Sequence, residues 1–155
     1  MKKLLFFLAI AALGVVIKVT AFGAGGAVGK PAMTAFHESE ESDRIDHHLA
    51  QMMNMINKQA PVMVDKNTRL DNAWGLAHHF RYNYTLIDYD GAEVSEQKFT
   101  KAMRPYLYNE VCKGKALKAL PESGVTVSFS YKGKDGADIA IITITPAECR
   151  SSASM

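Results

Sequence analysis

Residues 124–145 read GVTVSFSYKGKDGADIAIITIT, and this stretch carries the clearest secondary-structure signal in the chain. Apolar residues alternate with small polar ones over residues 125–131, which is the pattern of a half-buried β-strand. GKDG at residues 133–136 supplies a turn, and ADIAIITIT then returns as a second strand. The stretch therefore predicts a β-hairpin with one face in the core.

A second alternating stretch lies upstream, at residues 80–87. A strand over about residues 68–74 is expected to pair with it as a hairpin. Successive side chains of a strand point to opposite faces of the sheet. One side of this strand carries Phe80, Tyr82, Tyr84 and Leu86, and the other carries Arg81, Asn83, Thr85 and Ile87. Because the aromatic side suits the core, the mixed polar side is the candidate binding surface.

Helical patterns precede each pair of strands. The first covers about residues 39–58 and ends before Pro61. The second begins near Ser95, a good N-cap, and Pro105 should bend or break it. The apolar stripe of the first helix is Ile45, Leu49, Met52 or Met53, and Ile56. That of the second is Phe99, Met103, Leu107 and Val111. The order α-β-β-α-β-β predicts an α+β fold, with roughly four antiparallel strands covered by two helices on one face.

The N-terminus has the pattern of a secretory signal peptide, because Lys2 and Lys3 precede the apolar run LLFFLAIAALGVVI. We expect a signal at residues 1–21, a flexible linker at 22–38, one domain at 39–150 and a disordered tail at 151–155. The alternative is an uncleaved anchor, although a spanning helix needs about 20 apolar residues. Cleavage predicts a periplasmic or secreted protein without a stable membrane span.

Residues 24–30 read AGGAVGK, which satisfies a relaxed phosphate-loop pattern. Pro31 stands where such a loop needs a Ser or Thr hydroxyl for Mg²⁺, and the preceding segment reads as a signal instead of a strand. We therefore interpret the stretch as a linker and expect no nucleotide cofactor.

The chain has a formal net charge of +2, but part of its basic excess lies in the signal. Removing residues 1–21 removes Lys2, Lys3 and Lys18, which leaves 15 basic and 16 acidic residues. Nucleic-acid binding needs a concentrated positive surface, so we expect no nucleic-acid partner. Basic residues recur over residues 98–118, and a solvated helix face is the interpretation we favour for them.

The two cysteines, Cys112 and Cys149, both follow the signal. In an exported chain they are most simply one disulfide. Closing a loop of about 38 residues adds roughly 3–4 kcal/mol in the chain-entropy model. A catalytic thiol is the alternative, but it would leave the second cysteine unexplained.

Catalytic and metal-binding patterns are weak. The sequence contains no GxSxG, SxxK or HExxH motif. Asp43 and His47 have the i, i+4 spacing that places two ligands on one helix face, and His78 and His79 could add one more. We favour two surface histidine pairs over a metal site, and we expect neither a cofactor nor catalysis.

Several segments together resemble a group of small exported bacterial proteins. The segments are QAPVMVDKNTRLD at 59–71, FRYNYTL at 80–86, VC at 111–112, SGVTVSFSYKGKDG at 123–136, and Cys149. The group includes proteins assigned as quorum-sensing-regulated virulence factors, whose biochemical activity is not established. The resemblance spans about residues 45–149, except for NAWGLAHH at 72–79. It implies an exported α+β domain with the disulfide, and it supplies no catalytic residue.

Two classes of function follow from these patterns. The first is a non-enzymatic module that binds an envelope or extracellular protein partner. It would use Arg81, Asn83, Thr85 and Ile87, or alternatively the strand aromatics or the Met-rich stretch at 52–55. Core packing is the competing interpretation of those apolar residues. The second class is a small-ligand or metal-binding periplasmic protein that uses the histidine pairs.

Overall fold

A computed structural model describes residues 32–151 of the chain. The predicted signal peptide and its anchor alternative, residues 22–31 of the linker, and residues 152–155 lie outside the described part. The elements are α1 (Ala32–Gln59), β1 (Val62–Met63), β2 (Thr68–Leu76), β3 (His79–Leu86), α2 (Glu96–Cys112), α3 (Ala119–Glu122), β4 (Thr126–Gly133), β5 (Asp138–Ile144) and α4 (Pro146–Ser151). None of the helices within residues 32–151 combines the length and the apolar composition that a membrane span requires.

The α+β class is confirmed, and the strands form one sheet in the order β1-β2-β3-β4-β5. The prediction of a purely antiparallel sheet was wrong, because β3 and β4 run parallel. The connection between them includes α2, and a long crossover of this kind can return the chain to the end of the sheet where β3 began. The two-residue strand β1 is a fifth strand that the sequence pattern did not indicate.

The core lies between the sheet and the helices α1 and α2. Leu49 of α1 lies against Gly75 and Phe80, while the Phe99 ring of α2 meets the Tyr131 ring with centroids 4.8 Å apart. Both helices therefore cover the face that carries the aromatic residues of β3 and β4. The fully buried side chains include Leu49, Phe80, Val111, Val125, Val127, Phe129, Ile142 and Ile144.

Helix α1 begins at Ala32, so residues 32–38, predicted as linker, are helical. Its close approach to the sheet depends on Gly75, where a Cβ atom would lie 2.8 Å from the Phe80 ring and 3.1 Å from Leu49 Cβ. A larger residue at this position would push α1 away from the sheet.

Helix α2 continues through Pro105, so of the two predicted outcomes, a bend or a break, the break does not occur. Pro105 is exposed, so water can reach the carbonyl that its missing N–H leaves unbonded. Leu107 and Val111 are buried beyond it, and their packing holds the second half of the helix on the core. Helix α4, which includes Ser151, occupies a segment for which no element was predicted.

The β2–β3 hairpin turns at Ala77 and His78, which have φ of 52° and 58°. Positive φ at both central residues suits a tight hairpin turn but disfavours side chains other than Gly and Asn. Asp46 of α1 compensates, because its carboxylate accepts the N–H of Ala77 and the N–H of His78, each at 3.1 Å. The hairpin is thus tied to α1 by one side chain.

Candidate partner-binding face

The face of the sheet opposite α1 and α2 is called here the open face. Cross-strand pairing places Trp74 opposite Arg81, and Asn72 opposite Asn83. The parallel pairing of β3 with β4 adds Ser128 and Ser130, and β5 adds Ile141 and Thr143. This face therefore mixes polar groups with a few large apolar side chains.

Trp74 and Arg81 dominate one half of the open face. Trp74 is 45% exposed, and a shallow depression beside it is lined by Asn72, Trp74, Arg81 and Asn83. Arg81 is exposed, and no carboxylate of the described residues lies within ion-pair distance of its guanidinium. An aromatic ring and an unpaired cation are thus both available to a partner.

Asn72 and Asn83 form a fixed polar floor beside this pair. The Asn83 side-chain amide donates to Asn72 Oδ1 at 2.6 Å. One bond of this kind leaves the Asn72 amide donors and the Asn83 carbonyl oxygen without a side-chain partner. The floor can therefore both donate hydrogen bonds to a partner and accept them.

Thr85 was predicted to belong to the binding surface, but the structure buries it. Its hydroxyl donates to Asp71 Oδ2 at 2.5 Å, and Arg69 Nε donates to Asp71 Oδ1 at 2.6 Å. A β-bulge between Leu70 and Asn72 accompanies this arrangement, because Asp71 has no cross-strand partner. Thr85 stabilises the sheet internally and offers no hydrogen bond to a ligand.

Ile87 also differs from its expected position. Strand β3 ends at Leu86, and Ile87 begins a turn in which its N–H donates to the Asn67 carbonyl at 2.9 Å. Its side chain is half-buried. Of the four predicted binding residues, the structure thus keeps Arg81 and Asn83 together on the exposed surface.

Sequence reasoning missed Trp74, Leu76 and Ile141 as exposed residues; Leu76 is 53% exposed and Ile141 is 54% exposed. The signal that could have found Trp74 and Leu76 is the alternation from Asn72 to Leu76. The predicted strand stopped at residue 74 and therefore did not use this alternation.

The aromatics of β3 and β4 belong to the core. The rings of Tyr82 and Phe129 stack with centroids 5.5 Å apart, and those of Tyr84 and Tyr131 stack at 5.2 Å. Burial raises the pKa of the Tyr82 hydroxyl and of the Tyr131 hydroxyl well above the ordinary value, so both stay neutral. These four residues are buried and provide no exposed binding surface.

The histidine and aspartate candidates for a metal site are spread over α1 and the β2–β3 turn. Asp43 and His47 are exposed on α1, and His47 Nε2 lies 3.0 Å from the Gln51 amide. His78 lies in the turn and His79 begins β3. Between residues 32 and 151, no group of three or more His, Cys, Asp or Glu side chains is arranged to hold a metal ion.

The predicted disulfide is present between Cys112 and Cys149, whose Cα atoms are 5.1 Å apart. It joins the last residue of α2 to α4. Because both cysteines of the chain are in this bond, no thiol is available for nucleophilic chemistry. The disulfide prediction is confirmed, and the catalytic-thiol alternative is excluded.

The fold is similar to three solved structures of bacterial proteins. The first is a Pseudomonas aeruginosa protein assigned as secreted, with a TM-score of 0.60 and 12% identity, covering 71% of this chain and 96% of that chain. The second is a pilotin of the Vibrio vulnificus type 2 secretion system, with a TM-score of 0.59 and 9% identity, covering 72% and 96%. The third is a type II secretion system pilotin of Vibrio cholerae, with a TM-score of 0.55 and 13% identity, covering 72% and 98%.

At these identities the similarity shows a shared fold. The P. aeruginosa structure shares this fold, and the resemblance to exported bacterial proteins stays a prediction from the sequence motifs. No protein-family model and no curated protein sequence matches the chain.

Proposed function

We propose that this protein is exported and acts by binding a protein of the bacterial envelope, without catalysing a reaction. The observation that carries the proposal is Trp74 beside the unpaired Arg81 on the open face. Trp and Arg are among the residues that contribute most to protein–protein binding, because each contacts a large area of the partner.

The surroundings of this pair are already fixed before a partner arrives. Asn83 is bonded to Asn72, and Thr85 is bonded to Asp71. A partner that docks here would order few additional side chains, which reduces the entropic cost of binding.

The similar structures support an envelope setting for the partner. Two of them are pilotins of type II secretion systems, and the third is assigned as secreted. Components of an envelope secretion apparatus are therefore the first candidates to test as partners. The proposal also assumes export through the signal at residues 1–21, with a mature N-terminus between Phe22 and Ala32, which the intact mass of the exported protein would test.

Site-specific photo-crosslinking in the native host tests the proposed face. A photoreactive amino acid is placed at Trp74, at Arg81, or at the exposed control position Lys58 of α1. We expect one envelope protein to crosslink from positions 74 and 81 and not from position 58. The double variant Trp74→Ala, Arg81→Ala should weaken capture of that protein by at least about tenfold, because hot-spot truncations cost about 2 kcal/mol or more.

Two results would contradict the proposal. One is equal crosslinking from all three positions. The other is tight zinc or copper binding that is lost on substitution of Asp43, His47, His78 or His79, which would favour the metal-binding alternative.

A further inference from the structure

Charge is distributed unevenly between two parts of the described domain. Residues 96–122 together with α4 contain seven basic and four acidic residues, a net charge of +3. The rest of residues 32–151 contains seven basic and twelve acidic residues, a net charge of −5. The described domain therefore has a positive part and a negative part, although its total net charge is small.

The exposed cations of the positive part lie on the outer side of α2 and at its C-terminal end. Lys98 and Lys101 are one helical turn apart and are both exposed. Lys113 directly follows α2, and Arg150 directly follows Cys149, so the disulfide brings these two cations to the same end. The basic face is defined here as Lys98, Lys101, Lys113, Lys115, Lys118 and Arg150.

None of these six cations is neutralised by an ion pair in the described residues. The nearby Glu148 carboxylate is already occupied by Arg104 and by the Thr145 N–H. Glu110 is half-buried, and the exposed carboxylates of residues 96–122 are Glu96 in the first turn of α2 and Glu122. The positive charge of this surface is therefore available to an external anion.

The basic face and the open face lie on different sides of the molecule. Phe99 of α2 packs on Tyr131, so α2 covers the aromatic face of the sheet and turns its exposed cations away from it. Arg81 points to the opposite side of β3 from Tyr82 and Tyr84. A ligand on the basic face would leave Trp74 and Arg81 accessible.

We propose that the basic face binds the surface of a membrane rich in anionic phospholipid. Charge complementarity is the basis of this assignment: separate cations spread along a helix and its end match a broad negative surface. Between Lys101 and Lys113, the exposed side of α2 carries the compact residues Ala102 and Pro105. The longer lysine side chains can therefore extend beyond this part of the helix surface. Each cation near such a surface strengthens binding about fivefold.

The negative remainder of the domain fixes the orientation. An anionic membrane attracts the basic face and repels Glu40, Glu41 and Asp43 of α1. Because α1 packs on β2 and α2 packs on β5, these carboxylates lie across the helix layer from the basic face, and the membrane should contact the α2 side of that layer. Lipid is favoured over single-stranded nucleic acid, because the aromatic side chains of α2 (Phe99, Tyr106 and Tyr108) are partly buried against the core, which limits their stacking on bases. The inference does not depend on the partner-binding proposal.

Vesicle co-sedimentation tests the basic face, with protein purified from the exported fraction. The probes are vesicles of phosphatidylcholine alone and vesicles that also contain phosphatidylglycerol. Wild-type protein should bind the phosphatidylglycerol vesicles at low salt and lose most of that binding as salt screens the charges. The phosphatidylcholine vesicles control for any apolar contribution of the N-terminus.

Two matched variants, with the same change in net charge, separate this face from total charge. The first replaces Lys98, Lys101, Lys113 and Lys118 with Gln, and the second replaces Lys58, Lys66, Lys132 and Lys134 with Gln. All eight lysines are exposed. The first variant should bind at least about tenfold more weakly than wild type, and the second should change by less than about threefold.

Circular dichroism of both variants should match that of the wild type. Equal losses in the two variants would overturn the proposal, as would equal binding of wild type to both kinds of vesicle. Tighter binding to a single-stranded oligonucleotide than to phosphatidylglycerol vesicles at the same salt would assign the surface to nucleic acid instead.

Discussion

Glu148 connects three parts of the chain through one carboxylate. Its Oε2 atom accepts the Thr145 N–H at 2.8 Å and the Thr145 hydroxyl at 3.0 Å, while Oε1 binds Arg104 of α2. The Glu148 N–H returns a bond to the Thr145 hydroxyl at 3.3 Å. With Pro146 as the first helical residue, this is a reciprocal N-terminal cap of α4.

The same contacts predict a dependence of stability on pH. The Thr145 N–H and the Arg104 guanidinium hold the pKa of the Glu148 carboxyl below its ordinary value. The contribution of a carboxyl with a lowered pKa is fully present above its unfolded-state pKa, and it is lost as pH falls through the folded-state pKa. Glu148→Gln should therefore reduce the loss of stability on acidification and cost about 1 kcal/mol or less at neutral pH.

Urea denaturation as a function of pH measures this effect, with Glu122→Gln as the control. Glu122 is exposed and accepts no side-chain bond among the described contacts, so its substitution should leave the pH dependence as in the wild type. If the free energy of unfolding of Glu148→Gln falls with acidification as steeply as that of the wild type, the cap of α4 does not depend on the Glu148 charge.

At the residue scale, the disulfide could be predicted from the sequence, because each cysteine has only one possible partner in the chain. Cys112 and Cys149 could be paired from the sequence because an exported chain with two cysteines leaves one simple outcome. Trp74 was not assigned, because the predicted strand stopped at residue 74, whereas β2 extends to Leu76 before a turn without Gly. That turn needs Asp46, which lies about thirty residues earlier in the chain.

At the scale of elements, α1 protects the outer edge of β2 as well as one face of the sheet. The Asn57 side-chain amide donates to the Ala73 carbonyl at 2.9 Å, and its Oδ1 accepts the Ala73 N–H at 2.7 Å. These two bonds imitate a neighbouring strand. They occupy backbone groups that an exposed edge would offer to another chain.

Asn57→Ala should lower the free energy of unfolding by about 1–3 kcal/mol, because both Ala73 backbone groups lose a partner in a partly buried site. Asn54→Ala is the matched control on the same helix, since Asn54 is also exposed but makes no side-chain hydrogen bond among the described contacts, and it should change stability by less than about 0.5 kcal/mol. Chemical denaturation measures both variants. Equal effects of the two substitutions would mean that water replaces the amide at no cost.

The order of the main elements was predictable, but the direction of pairing was not. An alternating pattern such as that of β3 or β4 identifies a half-buried strand and is the same whether its neighbour runs parallel or antiparallel. The parallel pairing of Tyr82 with Phe129 and of Tyr84 with Tyr131 follows from the crossover through α2. The candidate face could be predicted only in part. Alternation along the strand predicts that Arg81 and Asn83 lie on the open face, but it does not predict the hydrogen bond from the Thr85 hydroxyl to Asp71.

At the scale of the whole molecule, the two proposed surfaces lie on opposite sides of one sheet. The open face is built from strand residues such as Trp74 and Arg81, and the basic face from α2 and the disulfide-linked end. The disulfide holds α4 against α2, so Arg150 and Lys113 keep their places relative to the sheet. A domain arranged in this way could rest on a membrane and present its other side to a protein partner.

If both surfaces act, their effects should be separable, because the two surfaces lie on opposite sides of the sheet and distant substitutions add independently. Substitution of Trp74 and Arg81 by Ala removes one positive charge, so it should weaken phosphatidylglycerol binding by less than about threefold while reducing partner crosslinking strongly. The four-lysine variant of the basic face should do the reverse when crosslinking is measured with detergent-solubilised partner. Loss of both activities in either variant would mean that a single surface serves both, and the arrangement of membrane and partner on opposite sides would then be wrong.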